Sequence, residues 1–304
     1  MTTTARNQSA TGTRIVLGSN QYGKAEVRLV KITRDTGRHR IQDLNVSSQL
    51  HGDFEAAHTE GDNARVVPTD TQKNTVYAFA RNGVASTEEF LLRLGEHFTS
   101  SFEWVTGGRW AAQEFFWDRI NDHDHAFSRN KSEVRTAVLE IRGSEKAVVA
   151  GIEDLTVLKS TGSEFHGFPK DKYTTLQETT DRILATDVTA RWRYNTTDVD
   201  FDAVYASVRE LLLDAFAQTH SLALQQTMYE MGRRVLEAHP EIDEIKMSLP
   251  NKHHFLVDLS PFGQDNPNEV FYAADRPYGL IEATIQREGT PATHVVWENI
   301  PAFC

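Results

Sequence analysis

Cysteine is nearly missing. The chain has one, Cys304, among 304 residues, so no disulfide can form within it. That fits a reducing compartment or simply no need for bridges, and zinc centres built from several thiolates are excluded. Long apolar runs are also missing, and none approaches the ~20 residues of a membrane-spanning helix. Positive charge is in deficit: Lys and Arg number 32 against 43 Asp and Glu, a formal net charge of −11. That balance argues against nucleic acid as a partner, because phosphate contacts need a basic face. It leaves room for a local basic pocket. Residues 1–13 are rich in Thr, Ala and Ser and lack the apolar stretch of a secretory signal. They are expected to form a disordered tail. Ala302-Phe303-Cys304 is not a peroxisomal address of the Ser-Lys-Leu type. A cytoplasmic protein with no membrane partner is therefore expected.

What is present is ordinary for a globular protein, with 39% hydrophobic and 25% charged residues. At about 150 residues per domain, the length suggests two domains. A chain of this size can bury roughly three quarters of its unfolded surface.

The first strand pattern runs from Tyr22 to Arg34. Val27 and Leu29 share one phase and Val30 and Ile32 the other, which points to a β-bulge or twist. Arg38 to Gln49 reads as its hairpin partner, with Asp35-Thr36-Gly37 as the turn. Two helices follow. Thr69 with Gln72 offers a capping box, with Val76, Tyr77 and Ala80 as the apolar stripe behind it. Ser86 with Glu89 is a second capping box, before Phe90, Leu91, Leu94 and Phe98. Trp104 to Trp117 and Val134 to Ile141 read as strands. The second half repeats this order. Leu155 to Leu158 and Arg182 to Tyr194 read as strands. Asp200 caps a helix along Val204, Tyr205, Val208, Leu211, Leu212 and Phe216. Ser221 begins another, with Met228, Met231 and Val235 on one face, and Pro240 stops it. Ile245 to Leu249, Phe255 to Leu259 and Leu280 to Ile285 close the chain. Each half reads strand, strand, helix, helix, strand, strand. That order gives two α+β domains, each an antiparallel sheet with helices on one face, meeting near Gly143.

Polar groups in apolar phase are the useful anomalies. Arg182 shares the phase of Leu184, Val188, Ala190, Trp192 and Tyr194. A guanidinium on a buried face wants an anionic or planar polar partner, although a strand-end Arg can also snorkel to water. Asn251 and His253 continue the phase of Ile245, Met247, Leu249 and Phe255, whereas Lys252 and His254 face away. A neutral His can pass protons either way, or be a core-edge residue held by a carbonyl. Asp122-His123-Asp124-His125 carries metal-ligand residue types, but no third ligand is identifiable, so a polar loop is the expected reading. Thr69 reads as a cap, and helix N-termini also bind anions. Lys24 has the phase of Glu26 and Arg28 and reads as a surface lysine. Phe165 lies in the loop Ser160 to Tyr173, either in a small satellite core or as a stacking platform.

Seven segments, in order from residue 20 onward, resemble the urate oxidase family, in its bacterial form. They are Gln21-Tyr22-Gly23-Lys24, Thr69-Asp70-Thr71-Gln72-Lys73-Asn74-Thr75, Leu158-Lys159-Ser160-Thr161, Tyr173-Thr174-Thr175-Leu176, Asp181-Arg182-Ile183-Leu184, Gln226-Thr227-Met228-Tyr229 and Leu249-Pro250-Asn251-Lys252-His253-His254. The resemblance implies two tandem tunnelling-fold (T-fold) domains, here residues 14–142 and 143–304. It implies a homotetramer enclosing a tunnel, with active sites at subunit interfaces. The implied reaction oxidises urate with O2 and water to 5-hydroxyisourate and hydrogen peroxide, without metal or organic cofactor.

By the same resemblance, Arg182 and Gln225 would grip the purine edge and Phe165 would stack on the ring. Leu224 and Asp70 would contribute backbone N–H groups. Leu224 stands where some members have valine, a change that a backbone contact tolerates. Thr69 would hold a ring nitrogen and, with Asn251, frame a pocket for O2 or water. Lys24, Thr69 and His253 would form a proton relay. The family's arrangement would draw Lys24, Thr69, Asp70 and His253 from one subunit, and Arg182, Phe165 and Gln225 from its neighbour. Two other classes compete. A metal-dependent purine or pterin hydrolase would need a metal cluster, hinted at only by His123 and His125. A non-catalytic purine binder would keep Arg182, Gln225 and Phe165 and could lose the relay.

Overall fold

In the computed structural model, residues 15–274, 276–291, 294–298 and 300 are described, apart from the side chains of 130–132. The expected tail 1–13 and Cys304 lie outside the described residues. Strand β1 (Tyr22–Thr33) pairs with β2 (Arg40–Gly52) across the Asp35-Thr36-Gly37 turn region. A short helix α1 (Glu55–Thr59) precedes α2 (Thr69–Arg81) and α3 (Thr87–Ser101). Strands β3 (Val105–Arg119) and β4 (Phe127–Arg142) complete the first half. The second half holds β5 (Glu145–Lys159), β6 (Leu184–Tyr194), α4 (Phe201–Gln218), α5 (Leu224–Ala238) and β7 (Ile242–Asn251). Its last main strand is β10 (Gly279–Gln286), after the small ribbon of β8 (His254–Leu256) and β9 (Phe271–Ala273). The order strand, strand, helix, helix, strand, strand therefore occurs twice, as the sequence pattern predicts.

Eight strands form one sheet, in the order β1-β2-β3-β4-β5-β6-β7-β10, and each neighbouring pair is antiparallel. The two halves join at the β4–β5 turn, where Gly143 has φ of 60°, a left-handed conformation that glycine adopts at little cost. The four long helices contact the sheet along its length: α2 on β1, α3 on β3 and β4, α4 on β5, and α5 on β7 and β10. Alternation places Leu44, Trp110, Leu139, Val188, Trp192 and Met247 beneath them, all fully buried. On the opposite face Val296 and Ile300 cover Val138, Ala147 and Val149.

Several sequence expectations change. Tyr77 is exposed, and the buried face of α2 is Gln72, Val76 and Ala80. Phe255 to Leu259 does not continue β7. Strand β7 ends at Asn251, and pairing resumes at His254 as β8 in a separate ribbon, which leaves Phe255 51% exposed. Arg182 precedes β6 and is not part of it. Helix α5 starts at Leu224 and not at Ser221, whose hydroxyl donates to the Ala223 carbonyl at 3.0 Å.

Candidate active site

A bulge decides where Lys24 points. The β1–β2 register slips between Lys24 and Val27, and Glu26 sits at φ of 56°. The sequence pattern places the phase change at Val30, yet Val30 simply faces outward. In a straight strand Lys24 would share the outer face with Glu26 and Arg28. The extra residue inverts it. Lys24 pairs with Ser48, and directly opposed residues share a face. The Ser48 hydroxyl is buried and donates to Gln72 Oε1 of α2 at 2.9 Å. Lys24 thus belongs to the helix-covered face, and the reading of a plain surface lysine is corrected.

Thr69 is not an N-cap. Pro68 holds that position, Thr69 is the first helical residue, and no side chain caps α2. Gln72, the expected box partner, is fully buried against Ser48. The first-turn N–H groups of α2 are therefore free of side-chain caps. Tyr22 Oη donates to the Val67 carbonyl at 3.2 Å and ties the start of α2 to β1. Asp70 is held below its ordinary carboxylate range, chiefly by Lys73, with Asn74 and Lys24 contributing. Lys24, Thr69 and Asp70 form one cluster.

The second cluster gathers around Arg182. Its backbone N–H donates to the Ser163 carbonyl at 2.9 Å and its Nε to Ser163 Oγ at 3.2 Å. The two terminal nitrogens have no partner among the described residues, so the fork stays open for a planar acceptor. The guanidinium lies 5.2 Å from the centre of the Phe165 ring, and partial burial lowers its pKa. Ser163 bridges to Ser221, whose hydroxyl accepts from Thr227 Oγ1 at 2.9 Å, and this links the Phe165 loop to α5. Leu224 and Gln225 are the first two residues of α5; no side chain caps that helix. Leu224 is buried and Gln225 exposed.

Asn251 ends β7 opposite Thr186 and Gly279, and the Lys252 N–H donates to the Ala185 carbonyl at 2.9 Å. That pairing holds the 251–253 turn beside the start of β6. Burial, then the charges of Arg182 and His254, push His253 below its usual range. His253 is therefore neutral near pH 7 and close to Arg182 of its own chain. The expected grouping of His253 with Lys24 is corrected: it joins Arg182, because the β6–β7 pairing brings their flanks together. Sequence reasoning missed Ser163 and Ser221 as supports, and a Ser-rich loop gives no signal for either.

The two clusters are far apart. Five inter-strand spacings separate β1 from β6, about 24 Å along the sheet. Each cluster contains one helix start without a side-chain cap. The other two long helices are capped, α3 by the Ser86–Glu89 box and α4 by Asp200. The Asp122–His125 loop is held by an Arg38–Asp122 ion pair and by His125 N–H donating to His123 Nδ1 at 3.3 Å. Among the described residues no group of three or more His, Cys, Asp or Glu is placed to hold a metal ion.

Comparison with known proteins agrees over nearly the whole chain. A family model described as Uricase matches residues 20–140 and 148–282. The uricase of Arthrobacter globiformis is 84% identical over 301 residues, covering 99% of this chain and 100% of that protein. The uricase of Dictyostelium discoideum is 39% identical over 276 residues, covering 88% and 96%. The crystal structure of the Arthrobacter globiformis uricase superposes with a TM-score of 0.92 at 86% identity, covering 94% of this chain and 100% of that one. A uricase from Bacillus fastidious superposes with a TM-score of 0.76 at 26% identity, covering 89% and 94%.

Proposed function

The chain belongs to the uricase family, whose activity is urate oxidation, and on that premise we propose the finer chemistry and its residues. Urate, O2 and water become 5-hydroxyisourate and hydrogen peroxide, with no metal or organic cofactor. Two electrons leave the purine, O2 takes them up as peroxide, and water supplies the new hydroxyl. Triplet O2 reacts slowly with closed-shell molecules, a task usually given to a cofactor. An electron-rich, deprotonated urate removes that need. The protein then has to bind an anion, take a further proton and hold O2 over the ring.

Arg182 and Gln225 grip the purine edge, and Phe165 stacks on its face. The free N–H groups at the start of α5, Leu224 among them, and at the start of α2, Asp70 among them, add positive potential. Thr69 passes the proton, Lys24 favours the deprotonated form, and His253 reorients protons between steps. Asn251 frames the place for O2 and then water.

The observation that carries this reading is the open Arg182 fork beside the Phe165 ring and the uncapped start of α5. The Lys24 cluster lies too far along the same sheet to reach that ring, so the site needs a second chain. A homotetramer with sites at subunit interfaces supplies it, in a cytoplasmic setting. The same reading divides the chain at the Gly143 turn, into repeats 14–142 and 143–304. The test is urate loss by ultraviolet absorbance with simultaneous O2 uptake, on chelated protein with no cofactor added. Equimolar loss of both, with peroxide appearing, is expected. Turnover that needs added metal would overturn the cofactor-free reading.

A further inference from the structure

A cavity of about 770 Å3 opens at the far end of α2, between that helix end and the tips of the β1–β2 and β3–β4 hairpins. Four cations line it, Lys31, Arg40, Arg81 and Arg119, against one carboxylate, Asp202. That carboxylate is already paired with Arg135 at 2.6 Å. Lys31 Nζ donates to the Arg81 carbonyl at 3.1 Å, which uses one of its three donors. Arg119 donates to the carbonyls of His39, His123 and Asp124. Those bonds fix its position, and the only carboxylate acting on it among the described residues is Asp122, which Arg38 already pairs. Arg40 pairs with Asp35 at 3.0 Å, with both groups exposed. The Arg81 side chain has no partner among the described residues.

The lining therefore concentrates positive charge in a chain whose net charge is −11. Such a recess raises the local concentration of anions. Trp117 forms part of the wall, and its indole N–H is taken by Asp43 Oδ2 at 3.0 Å, so an apolar ring remains. Urate carries a single charge, and the grip proposed for it is planar. Several cations from separate elements suit a ligand with several negative charges, and guanidinium forks suit phosphate oxygens.

We propose that this cavity is a second binding site, for a small phosphorylated polyanion carrying two or more negative charges. It is separate from the candidate active site. Thr69 and Arg81 are the first and last residues of α2, about 18 Å apart at 1.5 Å per residue.

Isothermal titration of the intact protein with inorganic pyrophosphate and with ATP, at fixed low ionic strength, tests it. One site per chain is expected, weakened by salt. In Lys31→Gln/Arg81→Gln the Kd rises at least about tenfold, as loss of two charged contacts implies, while urate turnover is unchanged. Equal affinity for the two probes assigns the site to charge alone, and tighter ATP binding adds the Trp117 wall. Absence of binding at millimolar probe, or the same Kd in the double variant, overturns the proposal.

Discussion

At the residue scale, the proposed proton relay rests on Lys24 and Thr69. Lys24→Ala and Thr69→Ala are each expected to lower turnover by about 10²-fold or more, the usual range for acid–base groups. Steady-state kinetics check this, and near-normal turnover in both removes the relay. Arg182→Ala should mainly weaken urate binding, because an open charged fork is lost. His253 gives a pH prediction. Its pKa lies below the ordinary value through burial and the Arg182 and His254 charges. The acid limb of kcat/KM that reports His253 is therefore expected below pH ~6.5. In Arg182→Gln one of the depressing charges is gone, so an NMR titration of the His253 ring should show its pKa rise. An unchanged value would place Arg182 too far away to act on it. Arg182 and His253 were singled out in the sequence as polar residues in apolar phase, yet β6 starts at Leu184 and β7 ends at Asn251, so each lies just outside the strand whose phase pointed to it. Lys24 was not, because alternation cannot tell where a bulge adds its residue.

At the element scale, the bulge and the helix starts set the site. Removing Glu26 should straighten β1 while Lys24 stays opposite Ser48 on the inner face. Activity is then expected to stay well above that of Lys24→Ala with the fold intact, and a loss as deep as in Lys24→Ala would mean that the bulge itself aims the ammonium. Circular dichroism with kinetics separates the two effects. The missing cap on α5 is testable in the opposite direction. Ala223 is the N-cap residue with extended backbone, φ −160° and ψ 152°. Ala223→Asp supplies a cap that stabilises by about 1 kcal/mol and puts a carboxylate where the purine anion is proposed to bind. A higher Tm with a larger urate Kd is expected, and an unchanged Kd would mean that the helix start does not face urate. Helix existence, type and order were readable from capping signals and apolar spacing. The uncapped starts were not, because Thr69 and Ser221 mimic caps and only the buried Gln72 and the Ser221–Ala223 bond show otherwise. The β8 ribbon was equally hidden, since Phe255 continues the apolar phase of β7 beyond the end of that strand.

At the scale of the whole molecule, the two halves are joined by the sheet and by a buried charge cluster. Arg135 of β4 pairs with Glu88 of α3 at 2.7 Å and with Asp202 of α4 at 2.6 Å, so it ties the helix starts of both halves. Burial, opposed by Arg135, lifts Glu88 to about 7. Glu114 of β3 lies 3.8 Å from the same guanidinium, so Arg135→Ala leaves Glu88 and Glu114 without their cation, and a loss of about 3–5 kcal/mol is expected in urea unfolding. The repeated element order was visible in the sequence. The single continuous sheet was not, because strand order across the Gly143 turn has no local signal. That sheet keeps Lys24 and Arg182 apart, and the proposed shared site rests on that distance. Co-expressed Lys24→Ala and Arg182→Ala chains test the shared site most directly. Random mixing in a symmetric assembly pairs intact halves at about one site in four, so a shared site predicts recovery towards a quarter of wild-type turnover. If mixing restores nothing beyond the two separate variants, each site lies within one chain and the shared-site reading is contradicted.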